Sequence, residues 1–131
     1  MDNFSICSLP MKSQKCILIV DDDADVRLFL RDRLNAMGFK VLTAANGKEG
    51  VETLRHQSVD GILLDIFMPV MGGILMLEQL AQFSVFPPVI VMSSTTHRLE
   101  LQFAIVKGAM DFLIKPIASE ELTDKCMRLF Y

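Results

Sequence analysis

Five short apolar runs, each followed by a stretch with helical spacing, constrain this chain more than any other feature. Cys16 to Val20 (CILIV), Gly61 to Leu64 (GILL) and Val89 to Met92 (VIVM) are continuous apolar segments rich in branched residues. Runs of that length and make-up predict strands buried on both faces. Lys40 to Ala45 is more polar and is expected nearer a sheet edge, and Asp111 to Ile114 supplies a fifth strand. Between the runs, Val26, Phe29, Leu30, Leu34 and Met37 recur at helical spacing until Gly38. Val51 and Leu54 mark a short second helix after the Asn46-Gly47 turn. Ile74, Leu77, Leu80 and Ala81 mark a third, and Arg98 to Lys107 a fourth that stops at Gly108. Leu122, Cys126 and Leu129 mark the last, with Ser119 as its expected cap. Strict alternation of strand and helix predicts a parallel α/β sheet covered on both faces by right-handed crossovers.

A length of 131 residues suits one domain, and a hydrophobic content of 51% is enough for a sizeable core. The net charge of -3 is unlike the basic footprint of a nucleic-acid-binding module. No apolar run approaches the ~18 residues of a membrane span. Residues 1–14 lack the charged start and long apolar core of a secretory signal and read as a flexible leader, with the folded domain over residues 15–131. Cys7, Cys16 and Cys126 show no metal-ligand spacing. Cys16 and Cys126 fall at apolar positions and are expected as buried thiols, which suits a reducing cytoplasm.

Four of the five strands end in a group with chemical capacity: Asp21 and Asp22, then Asp65, Ser93 and Lys115. An aspartate at a strand end ordinarily caps a turn. In an open parallel sheet, however, ligands bind beyond the carboxyl ends of the strands, where strand order reverses. With the order 2-1-3-4-5, the crevice between strands one and three is lined by Asp21, Asp22 and Asp65, with Ser93 and Lys115 on its far side. Carboxylates at ~4 Å repel by a few kcal/mol at an effective dielectric near 20, so the cluster calls for a cation. An all-oxygen donor set selects a hard divalent ion, best Mg²⁺. Lys115 adds a positive charge and Ser93 a hydroxyl donor. The set is a receptor for a phosphoryl group carried by Asp65, since a carboxylate can act as nucleophile and form an aspartyl phosphate.

The motifs ILIVDDD, ILLDIFMPVMGG, VIVMSS and GAMDFLIKP, in that order and spacing, closely resemble the receiver domain of two-component response regulators. The resemblance covers about Lys15 to the C-terminus. It implies a flavodoxin-like (βα)₅ fold and makes Asp65 the phosphorylated aspartate. It implies Mg²⁺ or Mn²⁺ held by Asp22 directly, by Asp21 partly through water, by Asp65 and by the Phe67 backbone carbonyl. Lys115 resembles the lysine that pairs with the phosphoryl group, Ser93 stands at the Ser/Thr switch position, Phe112 at the aromatic switch position, and Pro116 after an expected cis peptide bond. The implied partner is a histidine kinase or a histidine phosphotransfer protein. The implied role is a cytoplasmic signalling switch that catalyses only its own phosphorylation and dephosphorylation.

Some positions depart from the family pattern. Gly72 replaces an Asp or Asn and suggests a more mobile loop beside Asp65. Ala118 replaces an acidic cap, which leaves capping to Ser119. Neither removes a group that phosphorylation requires. His56 and His97 read as surface residues, with no histidine in the site. The fourth helix is apolar around most of its circumference. Either the helix is simply deeply packed, or Leu101 and Ile105, four apart, form an exposed strip, part of a surface of helix four, strand five and helix five that contacts a second copy or an effector domain. Two rivals share the fold or the chemistry. A pseudo-receiver would not need the complete set of Asp22, Asp65, Ser93 and Lys115. A phosphatase working through an aspartyl phosphate usually carries a second carboxylate where this chain has Phe67.

Overall fold

The computed structural model describes residues 14–83 and 86–131. Cys7, and the leader expected over residues 1–14 apart from Gln14, lie outside the described residues. Five strands form one parallel sheet: β1 (Cys16–Val20), β2 (Lys40–Ala44), β3 (Gly61–Asp65), β4 (Val89–Ser93) and β5 (Asp111–Ile114). Their order is β2-β1-β3-β4-β5, as expected for the flavodoxin-like arrangement. The more polar β2 is an edge strand, and β3 and β4 are buried along their whole length. Five helices alternate with the strands: α1 (Ala24–Ala36), α2 (Gly47–His56), α3 (Gly73–Leu80), α4 (Arg98–Val106) and α5 (Ser119–Phe130). A 3₁₀ turn, Thr95–His97, leads into α4.

The two-residue period of a strand divides the core into two layers. Ile17, Ile19, Leu63, Ile90, Met92 and Leu113 face Leu30 and Leu34 of α1 and Leu122, Cys126 and Phe130 of α5. Leu18, Val20, Ile62, Leu64, Val89 and Val91 face Val51 of α2, Met76, Leu77 and Leu80 of α3, and Leu101 and Ala104 of α4. Each layer closes over one apolar face of the sheet, so the strand ends on the carboxyl side are left for polar side chains.

Local signals set the helix ends. Asp23 accepts from the backbone N–H groups of Asp25 and Val26 and so caps α1. Gly38, after α1, and Gly108, after α4, sit at φ +95° and +117°, in the left-handed region that favours glycine. Ser119 does not cap α5. Ala118 occupies the cap position without a side-chain bond, and Ser119 is already the first helical residue. Glu120 and Glu121 in the first turn instead complement the helix dipole.

Two further expectations need correction. Leu101 is not on an exposed strip: it is 4% exposed and part of the core, because α4 packs on the sheet through Leu101 and Ala104, three residues apart. Ile105 flanks that stripe at 40% exposure, and the outward apolar side chains are Leu99, Phe103 and Val106. Cys16 is only partly buried, since it opens the first strand beside the edge, whereas Cys126 is fully buried. Burial pushes the Cys126 thiol up to about 12, so it stays protonated.

Candidate functional site

The site is built from the carboxyl ends of four strands. Val20 of β1 pairs in register with Leu64 of β3, so Asp21 lies beside Asp65. Asp65 in turn pairs with Met92, which brings Ser93 to the next strand end, and Ser93 pairs with Ile114, one residue before Lys115. Asp21, Asp22 and Asp65 each offer a carboxylate oxygen, and these oxygens lie within 4.8 Å of one another. Asp21 is wholly buried, Asp65 is 5% exposed and Ser93 3% exposed. Asp22 is exposed at the mouth.

Asp21 is fully engaged. One of its oxygens accepts the backbone N–H of Asp23 at 2.9 Å, and the other accepts the Lys115 ammonium at 2.8 Å. Its carbonyl accepts from the Arg27 guanidinium at 2.7 Å. Lys115 reaches Asp65 more loosely, at 3.5 Å. The Lys115–Pro116 peptide that carries it is cis. Of the two buried carboxylates, Asp65 is therefore the one whose charge is less compensated. Its own burial and the neighbouring Asp21 charge raise its pKa to about 7, against a partial offset from Lys115. The Lys115 pKa moves upward too: burial opposes the charge, and the bonds to Asp21 and Asp65 outweigh it.

Three carboxylates facing one ammonium leave an excess of negative charge in a partly dehydrated crevice. That donor set fits a hard divalent cation: every side-chain donor is an oxygen, and the excess charge is relieved by a positive ion. The fit separates the three acids. Asp22 is open to the crevice mouth, whereas both oxygens of Asp21 already accept hydrogen bonds.

The loop after Asp65 is held against the site. Gly73 N–H donates to the Ile66 carbonyl at 2.8 Å. A Cβ on Gly73 would collide with the Asp65 carbonyl oxygen, and one on Gly72 would stand 2.8 Å from the Ile66 carbonyl oxygen. Gly72 is thus a close-approach residue. Val70 carries the local strain, at φ 68° with a branched side chain. Phe67, two residues after Asp65, is 48% exposed.

His97 is the residue that sequence reasoning missed. It does not sit apart on the surface. Its Nδ1 lies 2.8 Å from Ser93 Oγ and 3.1 Å from Ser94 Oγ. Its ring packs on Phe67 with centroids 4.1 Å apart. The 3₁₀ turn after β4 folds the chain back and produces this contact, and apolar periodicity carries no trace of such a turn. Phe112 points outward at 38% exposure, with the Lys125 ammonium 4.9 Å from its ring centroid. Between α4 and β5 lies a groove of about 260 Å³, lined by Arg98, Leu101, Gln102, Ile105, Phe112 and Ile114. Leu101 contributes to it from the core side.

The family model described as "Response regulator receiver domain" matches residues 17–127. The chemotaxis protein CheY of Bacillus subtilis is 36% identical over 109 residues, covering 82% of this chain and 91% of that protein. The probable transcriptional regulator ycf27 of Cyanidium caldarium is 34% identical over 111 residues, covering 85% of this chain and 44% of its own length. The chain thus spans nearly all of one curated relative and under half of another. Among solved structures, the chemotaxis response regulator CheY4 of Vibrio cholerae superposes with a TM-score of 0.83 at 28% identity, covering 89% of this chain and 99% of that one.

Proposed function

The chain belongs to the response regulator receiver domain family, a phosphoacceptor module of two-component signalling rather than a classical enzyme, and from that premise we propose that Asp65 is the residue phosphorylated. The observation that carries the assignment is the charge imbalance at Asp65. Of the two buried carboxylates, it is the one that Lys115 does not hold closely, at 3.5 Å against 2.8 Å for Asp21. Asp21 is engaged on both oxygens, which leaves Asp65 as the nucleophile and Asp21 as a support.

In the proposed reaction an Asp65 oxygen attacks the phosphorus of a phosphohistidine on a histidine kinase or phosphotransfer protein. The new O–P bond forms as the N–P bond breaks, and the imidazole leaves with the electron pair. Lys115 is placed to swing from Asp21 and Asp65 onto a phosphoryl oxygen. Ser93, at the end of the adjacent strand, donates its hydroxyl to another. A divalent cation, Mg²⁺ or Mn²⁺, would be held by Asp22, Asp65, the Phe67 carbonyl and, through water, Asp21, and would supply neutralisation of the crowded negative charge. Drawing Ser93 toward Asp65 frees the space into which Phe112 turns. The groove beside Phe112 supports that motion, because it leaves the ring room on the side facing α4.

The output surface in this reading is the face of α4, β5 and α5. Ile105 lies on it, and Leu99, Phe103 and Val106 add exposed apolar area. A second copy or an effector domain would contact it. Among the described residues no helix is long and apolar enough to cross a membrane. Cys16 and Cys126 are free thiols, which supports a cytoplasmic setting for the switch.

The test is labelling by acetyl phosphate, a small donor that needs no kinase. The protein is expected to gain one phosphoryl group only with Mg²⁺ present, and Asp65→Asn to gain none. Labelling of Asp65→Asn at the same stoichiometry would refute the assignment.

A further inference from the structure

His97 has no part in phosphoryl transfer as described, yet it makes the shortest side-chain contact to Ser93. Its Nδ1 stands 2.8 Å from Ser93 Oγ, and Ser94 Oγ approaches the same nitrogen at 3.1 Å. Ser94 is itself tied to Thr96 Oγ1 at 2.7 Å. On its other side the ring lies on Phe67, two residues beyond Asp65, with centroids 4.1 Å apart and planes at 42°. His97 also holds the N-cap position of α4, with φ -111° and ψ 41°, and makes no capping bond to that helix. Its side chain is turned back to the strand end instead.

We propose that His97 is a positioning residue: it holds the Ser93 hydroxyl on the α4 side, and phosphorylation of Asp65 must take the hydroxyl away from it. This rests on the phosphoacceptor reading above. A dianionic phosphoryl group only accepts hydrogen bonds, so Ser93 binds it by donating. With the imidazole neutral and its proton on Nε2, Nδ1 competes for that same hydrogen. With the proton on Nδ1, the nitrogen donates to Ser93 Oγ and still ties the oxygen to the α4 end. In either tautomer, movement of Ser93 toward Asp65 breaks the 2.8 Å contact. A bond made in only one of two states biases the equilibrium toward that state. When the bond is lost, His97 is free to leave Ser93 and Phe67 together, and the first turn of α4 moves with it. The state of Asp65 then reaches α4 through Ser93 and His97, a route separate from the one through Phe112.

The test is equilibrium binding of beryllofluoride, a non-covalent phosphoryl mimic, in the presence of Mg²⁺. His97→Ala is expected to bind it about fivefold more tightly than wild type, the equilibrium worth of one ordinary hydrogen bond. His97→Asn, whose amide both donates and accepts, is expected to restore wild-type affinity. In a Ser93→Ala background, the effect of His97→Ala is expected to shrink, because its contact with the Ser93 hydroxyl is already gone and only those with Ser94 and Phe67 remain. The amide resonances of α4 in free His97→Ala are expected to shift toward their beryllofluoride-bound positions. Unchanged or weaker binding by His97→Ala, or an equal effect in both backgrounds, would overturn the positioning role alone. If wild type binds no beryllofluoride, the phosphoacceptor reading fails and the proposal fails with it.

Discussion

Replacing Asp65 with asparagine should stabilise the metal-free protein, by an amount that depends on pH. The carboxyl is 5% exposed and stands beside Asp21, and its pKa rises from 3.8 to about 7. A raised carboxyl pKa means that the folded state binds more protons than the unfolded chain between those two values. Stability from this group is therefore full below about pH 4, falls as pH rises through the window, and is wholly lost above about pH 7. Three units at ~1.4 kcal/mol each give a ceiling of about 4 kcal/mol. Asparagine keeps the shape and loses the charge, and the attraction of Lys115 at 3.5 Å is already included in that net shift. A gain of about 2–4 kcal/mol near pH 8 follows, worth roughly 6–15 °C in Tm for a domain of this size. Circular-dichroism melts with EDTA, run across that pH range, should show the two proteins converging near pH 4 and separating as pH rises. Adding Mg²⁺ should raise the wild-type Tm more than that of Asp65→Asn, because a ligand stabilises only the state that binds it. A gap of constant size at every pH, or a less stable asparagine variant near pH 8, would refute the electrostatic account of the site.

Three substitutions test the packing around the site and on α4. Gly73→Ala should lower stability by about 1–3 kcal/mol and slow labelling by acetyl phosphate, since its Cβ presses on the Asp65 carbonyl oxygen and comes within 3.0 Å of Ile66 Cα; urea unfolding and the labelling rate read the two effects, and a wild-type result in both would contradict the geometry. Leu101→Ala should cost about 2–4 kcal/mol and Leu99→Ala no more than ~0.5 kcal/mol, because the first side chain is 4% exposed and the second 76%; equal urea midpoints would mean that α4 is rotated from the orientation described.

The legible part of this fold lies where one residue property decides one structural fact. Continuous branched runs such as VIVM form strands buried on both faces, and the sheet order then places Asp21, Asp65, Ser93 and Lys115 at neighbouring strand ends. What stayed hidden depends on directions that periodicity does not encode. Leu101 and Ile105 sit one turn apart on α4, yet the helix is rotated so that only Leu101 reaches the core. In a helix that is apolar almost all round, no polar stripe marks that rotation. Ser119 has a capping side chain, but the backbone enters the helix one residue earlier. His97 is separated from Ser93 by a 3₁₀ turn, and only the turn's geometry folds the ring back onto the hydroxyl and onto Phe67.

The same strand register that gathers the acids also sets how far a change at Asp65 travels. Asp65 and Met92 are paired, so Ser93 is one step along the neighbouring strand, and Ser93 and Ile114 are paired, so Lys115 is one step along the next. In the proposed reaction, a phosphoryl group on Asp65 would meet groups from β4 and from the end of β5 without crossing the core, whose two layers are close-packed and resist small displacements. Displacement is easier on the rim, where Ser93 leads through the 3₁₀ turn into α4 and β5 carries the half-exposed Phe112. The rim between these elements is also where the groove beside Phe112 and Ile105 lies. A rigid sheet with its reactive groups on one edge confines the response to that rim. In the proposed switch, α4 and β5 can then change while β1, β2 and α1 stay fixed.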